Sequence, residues 1–139
     1  MGIFKLKLTT FIMVAGLTLS AVGPATADRW NTEEKVLESI WLVAHYIDWR
    51  QTRTIAKHPE LYHELGVAYF ILGDHPDCNS VDLLFLGGTL AHLLVTDQLH
   101  RETRFLGSTW HPRRLWQMCT ISVSTNYVII NFQVNISLD

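Results

Sequence analysis

Little of this chain is charged. Asp, Glu, Lys and Arg make up 17% of its 139 residues, while hydrophobic residues make up 48%; a typical soluble domain carries roughly 25% charge. Eleven Lys and Arg stand against 13 Asp and Glu. No excess of positive charge is available for phosphates, which argues against a nucleic-acid partner. Thiols are scarce too. Cys78 and Cys119 are the only cysteines, their spacing fits no CxxC metal or redox pattern, and sequence leaves open whether they pair. The seven histidines include no HExxH or HxH arrangement, and no Gly-rich phosphate loop or nucleophile elbow is present. On motif grounds no metal, no cofactor and no standard hydrolase chemistry is expected.

What the chain does have is apolar sequence in blocks. Met1 to Ala27 has the three parts of a secretory signal peptide. Lys5 and Lys7 supply the positive start, Leu8 to Val22 is uncharged, and Gly23-Pro24 precedes Ala25-Thr26-Ala27, a small-x-small cleavage pattern. The apolar run is short for a membrane span of about 20 residues. Cleavage is expected after Ala27, leaving 28–139 as a single small domain. Losing Lys5 and Lys7 leaves nine basic against 13 acidic residues, a formal charge of −4. The mature chain is thereby placed in the inner membrane or periplasm of a bacterial host.

The clearest element of the mature chain runs from Trp30 to His58. Asn31 and Glu34 have the spacing of a capping box, and Val36, Leu37, Ile40, Trp41, Val43, Ala44 and Ile47 recur near a helical period. Pro59 ends the run. Glu38 and Asp48 leave only Ser39 to Ile47 uncharged between them, too short for a simple span. Asp82 to Thr96 forms a second helical segment, with 14 uncharged residues between Asp82 and Asp97, a length shared by core helices and short membrane segments. Between the two, Leu65 to Leu72 is an apolar patch followed by the turn residues Gly73 to Asp77. Gln98 to Arg114 is polar and expected as a surface loop, its Arg101, Arg104, Arg113 and Arg114 available to anionic headgroups. Leu115 to Leu138 has no charge over 24 residues. Leu115 to about Val123 is expected as helix, and the alternation from Phe132 to Leu138 favours a strand. The expected fold is mainly α: a helical hairpin or three-helix membrane-associated cluster with a tail of β character.

Some polar residues interrupt these apolar faces. Trp41, His45, Asp48 and Thr52 fall on one stripe of the first helix, with Gln51 beside it. An Asp and a His in such a setting are costly to bury unless paired, and a hydrogen-bonded clasp between helices is the expected solution. His92, mid-segment between Ala91 and Leu93, is the natural distant partner for Asp48. An alternative gathers His45, Asp48, Glu64, His75, Asp82 and His92 into a catalytic cluster of a membrane-embedded hydrolase or metal-dependent enzyme.

The block Asp48-Trp49-x-Gln51-Thr52, followed by Ile55-Ala56-Lys57-His58-Pro59-Glu60, resembles a group of short phage and prophage proteins. Tyr62, Glu64, Ile71-Leu72-Gly73-x-His75-Pro76, Val81-Asp82, Phe85, Ala91-His92, Trp116-Gln117 and Thr120-Ile121 extend the resemblance over most of the mature chain. The chain departs where the group has Asn-Pro shortly after the glutamate matching Glu64, and where it has a glutamate matching the region of Ser124 and Thr125. The resemblance implies a small, helical, exported protein associated with the membrane, and it implies no activity. The expected function is accordingly non-enzymatic, acting at the cell envelope on the lipid bilayer or on a partner protein.

Overall fold

The computed structural model describes residues 29–64 and 67–136; the expected signal peptide lies outside them. The chain is mainly helical. In order come α1 (Thr32–Lys57), the short α2 (Val67–Leu72), α3 (Cys78–Gln98), a hairpin of β1 (Thr103–Phe105) and β2 (Ser108–Trp110), and α4 (Pro112–Gln133). α1 packs along α4 and, less extensively, α3; α3 and α4 meet over a narrower strip. Contacts between their ends fix the directions. The start of α1 meets the end of α3 and the start of α4, and the end of α1 meets the start of α3 and the end of α4. α1 and α4 are thus parallel and α3 runs against both.

Local chemistry explains each boundary. Asn31 Oδ1 accepts the Glu34 backbone N–H at 2.8 Å, and Glu34 Oε2 accepts the Asn31 N–H at 2.9 Å, completing the capping box. Asp77 caps α3 by accepting the backbone N–H groups of Asn79 and Ser80. A 2.6 Å bond from the Ser80 hydroxyl is the main reason its carboxyl sits below the ordinary range, with the two backbone donors adding to it. Pro112 opens α4 at a position where its missing N–H costs nothing. The hairpin turns through Leu106 and Gly107, both at positive φ, the conformation that matches the twist of two adjacent strands.

Two expectations change here. The polar stretch before Arg114 contains the β-hairpin, and α4 begins at Pro112 rather than Leu115. The strand expected from Phe132 does not hold for Phe132 and Gln133, which complete α4, nor for Val134 and Asn135, which form a turn. Residues 137–139 lie outside the described set. The reason is tertiary: Gln51 of α1 binds the Val128 carbonyl and the Asn131 side chain, anchoring the last turns of α4 beyond what local alternation favours. Cys78 and Cys119 are both free.

Helices of 26, 21 and 22 residues are about 39, 31 and 33 Å long at 1.5 Å per residue. Among the described residues α3 alone is long and apolar enough to cross a membrane, with a mean hydropathy of 1.4 over an 18-residue stretch of which only 17% is buried. Proline at the exposed Ile129 tests the extent of α4. Ile129→Pro should remove helical signal at 222 nm in circular dichroism and cost about 3 kcal/mol. Unchanged ellipticity would mean that the tail is not helical.

Candidate functional site

The interior of the bundle is polar. Among the described residues the buried apolar side chains are Trp41, Ile55, Ala68, Val81, Val128 and Ile136. The buried polar ones are more numerous, and include Glu34, Glu38, Gln51, Thr52, His92, Thr96, Arg113, Gln117 and Ser124. The largest fully buried side chain is that of Arg113. Since charged side chains are almost never buried unless paired, the pairing is the first thing to establish.

It is set by helical spacing. Glu34 and Glu38 lie one turn apart on α1, and Arg113 and Gln117 one turn apart on α4, so the two pairs face each other in matching layers. In the outer layer Arg113 Nη1 reaches Glu34 Oε2 at 3.3 Å, while its Nε donates to the carbonyls of Thr96 and Leu99, each at 3.0 Å. The guanidinium therefore closes the end of α3 as well. Trp30 stacks against it at 5.7 Å and donates its indole N–H to Asp97 at 3.2 Å. In the inner layer Gln117 Nε2 donates to Glu38 Oε2 and to the Glu34 carbonyl, both at 3.0 Å. His92 Nε2 lies 3.1 Å from Glu38 Oε1 and 3.3 Å from Oε2. Although that contact is close, Glu38 Oε1 has no well-aligned hydrogen bond and Gln117 Oε1 no hydrogen-bond partner among the described residues.

Aromatic rings line this network. The His92 ring stacks on Trp41 with centroids 3.5 Å apart, Trp41 stacks on His45 at 4.6 Å, and Trp116 flanks His92 at 5.5 Å. Trp116 also donates its indole N–H to the Thr96 hydroxyl at 3.0 Å. Flat faces on both sides hold the imidazole so that its Nε2 edge meets Glu38.

The stripe predicted on α1 is present in altered form. Trp41 and Thr52 are buried, as is Gln51, and His45 and Asp48 are half-buried. His45 Nε2 lies 3.3 Å from the Phe85 carbonyl of α3, with its ring next to Gly88. The clasp expected between Asp48 and His92 is made by Glu38 instead. Continued two turns toward the N-terminus, the same stripe passes through Glu38 and then Glu34. Asp48, half-buried, lies within electrostatic range of the Glu64 carboxylate.

The six residues of the catalytic alternative do not form one cluster. His92 belongs to the Glu38 layer. Asp82, ten residues earlier on α3 and so about 15 Å away along the axis, accepts the Trp49 indole N–H at 2.8 Å and pairs with Arg53 at 3.4 Å. His45 contacts α3 backbone, Glu64 lies near Asp48, and His75 is exposed on the connector between α1 and α3. There it joins His63 and Asp74 in a group whose potential ligand atoms all lie within 4.8 Å of one another. No recognised ligand spacing signals that group in the sequence.

Arg113 was also missed. Sequence alone places it in a surface loop with Arg114, which is exposed and pairs with Glu33 at 2.8 Å. The available signal was Pro112, which marks a helix start and puts Arg113 on one face with Gln117 and Ser124. Breaking a buried pair strands the partner's charge, so Arg113→Ala should cost about 3–5 kcal/mol in detergent-solubilised unfolding. Arg114→Ala, which breaks an exposed pair, should cost at most about 1 kcal/mol. Equal losses would mean that the Arg113 guanidinium is not buried.

No family model, no curated protein and no solved structure matches this chain.

Proposed function

We propose that the mature chain is a small integral membrane protein of the bacterial envelope, non-enzymatic, that acts through the bilayer or a protein partner within it. The observation that carries this is the inverted polarity of the bundle. Outward faces hold Val36, Ile40 and Val43 on α1, Leu83, Leu86, Leu90 and Leu94 on α3, and Leu115, Met118, Ile129 and Phe132 on α4, all exposed. Carboxylates, a guanidinium, an imidazole and amides fill the interior. A monomer in water rarely exposes a contiguous apolar patch beyond a few hundred Å², whereas membrane helices turn ionisable side chains inward and pair them.

Lengths agree with this. Helices of roughly 31–39 Å match or exceed a hydrocarbon core of about 30 Å. Of the two charges that bound the uncharged run of α1 in the sequence, Glu38 points into the bundle and Asp48 lies half-buried on the same stripe, so neither faces fully outward. The signal-like N-terminus and the resemblance of Asp48 to Pro59 to short phage and prophage proteins favour an exported envelope protein. The scatter of the six candidate catalytic residues weighs against the membrane-embedded hydrolase.

Alkaline carbonate extraction is the primary test: the protein should remain in the membrane pellet, and release to the supernatant would favour a soluble periplasmic domain. Leu90→Arg places a charge on the proposed lipid face at a cost of about 2.5–3.5 kcal/mol for insertion. It should reduce the membrane-inserted fraction, whereas Arg at the solvent-exposed hairpin residue Leu106 should not. Intact mass of the protein made in a bacterial host should show loss of residues 1–27; a full-length mass would leave an uncleaved anchor.

A further inference from the structure

We propose that His63, Asp74 and His75 form a zinc site on the connector between α1 and α3, with one coordination position open to water or an external ligand. The three residues lie on two segments that sequence separates and backbone geometry joins. The Glu64 N–H donates to the Asp74 carbonyl at 3.3 Å, tying the residue after His63 to Asp74. Gly73, at φ +94°, reverses the chain after α2, its N–H closing onto the Tyr69 carbonyl at 2.9 Å. On either side the backbone is held inside the fold, since Glu64 and Pro76 are both buried. The loop therefore presents two imidazoles and a carboxylate outward from a fixed base.

The distances are longer than those of direct pairing. His63 Nδ1 lies 3.5 Å from Asp74 Oδ1, and His75 Nε2 lies 3.6 Å from Asp74 Oδ2. A charge-assisted hydrogen bond would draw nitrogen and oxygen to roughly 2.7–2.9 Å. Two ligands about 2.1 Å from a tetrahedral zinc stand about 3.4 Å apart, close to the separation of each imidazole nitrogen from its own nearer Asp74 oxygen; ligation through a single oxygen requires the carboxylate to turn from this position. The two imidazoles are close but not stacked face to face, with ring centroids 5.0 Å apart and planes inclined by 49°. All three side chains are about half exposed, so an ion can enter without rearrangement of the bundle. Two nitrogens and one carboxylate oxygen suit zinc in a site that keeps a water. The expectation of no metal rested on motif spacing along the chain, and an imidazole 11 residues upstream of an adjacent Asp-His pair belongs to no such motif.

The site is independent of whether the bundle lies in a membrane. Zinc ions are titrated into the untagged, detergent-solubilised mature protein against a chromophoric chelator. One zinc per chain is expected, and His63→Ala and His75→Ala should each weaken binding at least tenfold. His58→Ala, which alters an imidazole of the same connector paired with Glu60, should leave it unchanged. Cobalt(II) in place of zinc should give the intense visible absorption of a tetrahedral site, lost in both alanine variants. Circular dichroism confirms that each variant is folded. Absence of stoichiometric binding to the unmodified protein would overturn the site, and so would binding insensitive to both substitutions.

Discussion

Glu34 and Glu38 point from α1 into the interior of the bundle. A carboxylate buried without partners costs on the order of several kcal/mol, so the other helices must bring donors to these two residues. Arg113 and Gln117 on α4 answer them at the same one-turn spacing, and His92 on α3 meets the inner one. The parallel arrangement of α1 and α4 goes with this choice of partners, Glu34 with Arg113 and Glu38 with Gln117. Arg113 then extends the constraint to α3 by binding the carbonyls of Thr96 and Leu99. One guanidinium thereby joins three helices at one end of the bundle.

Farther down, weaker polar contacts repeat the arrangement. Gln51 clasps α4 through Val128 and Asn131, and Asp82 ties α3 to α1 through Trp49 and Arg53. Such an interior provides little hydrophobic driving force of its own. Its specificity comes from paired groups that have few alternative partners, while the leucine-rich outer faces are left for the surroundings to cover. In hydrocarbon, polar groups gain by turning inward. Water would impose the opposite order.

The connector between α1 and α3 has a different character from the bundle. It carries three of the chain's seven histidines, at 58, 63 and 75, and its fold depends on backbone devices: the end of α1 before Pro59, the reversal at Gly73 and the cap at Asp77. A buried Glu64 and a buried Pro76 fasten it to the helices. Beside them the exposed side chains of His63, Asp74 and His75 come together.

How much of this was legible depends on the range of the interaction. Asn31 with Glu34, Pro59, Pro112 and the helical period of α1 are local signals, and they mark the mainly helical fold and most helix boundaries. The stripe through Trp41, His45, Asp48 and Thr52 was legible as a face, and its continuation to Glu38 and Glu34 was there to be read. Reading charges along the chain made α1 look too short to cross a bilayer; reading them around the helix puts Glu34, Glu38 and Asp48 on one stripe, the first two buried. Sequence could not place Arg113 inside, prefer Glu38 over Asp48 as the partner of His92, keep α4 helical past Val123, or bring His63 to Asp74 and His75. Each of these was decided by groups 11 or more residues apart that meet only when the helices pack. Local propensities fix where a helix can begin and end, but the cost of an unpaired buried charge is settled only by what lies across the interface.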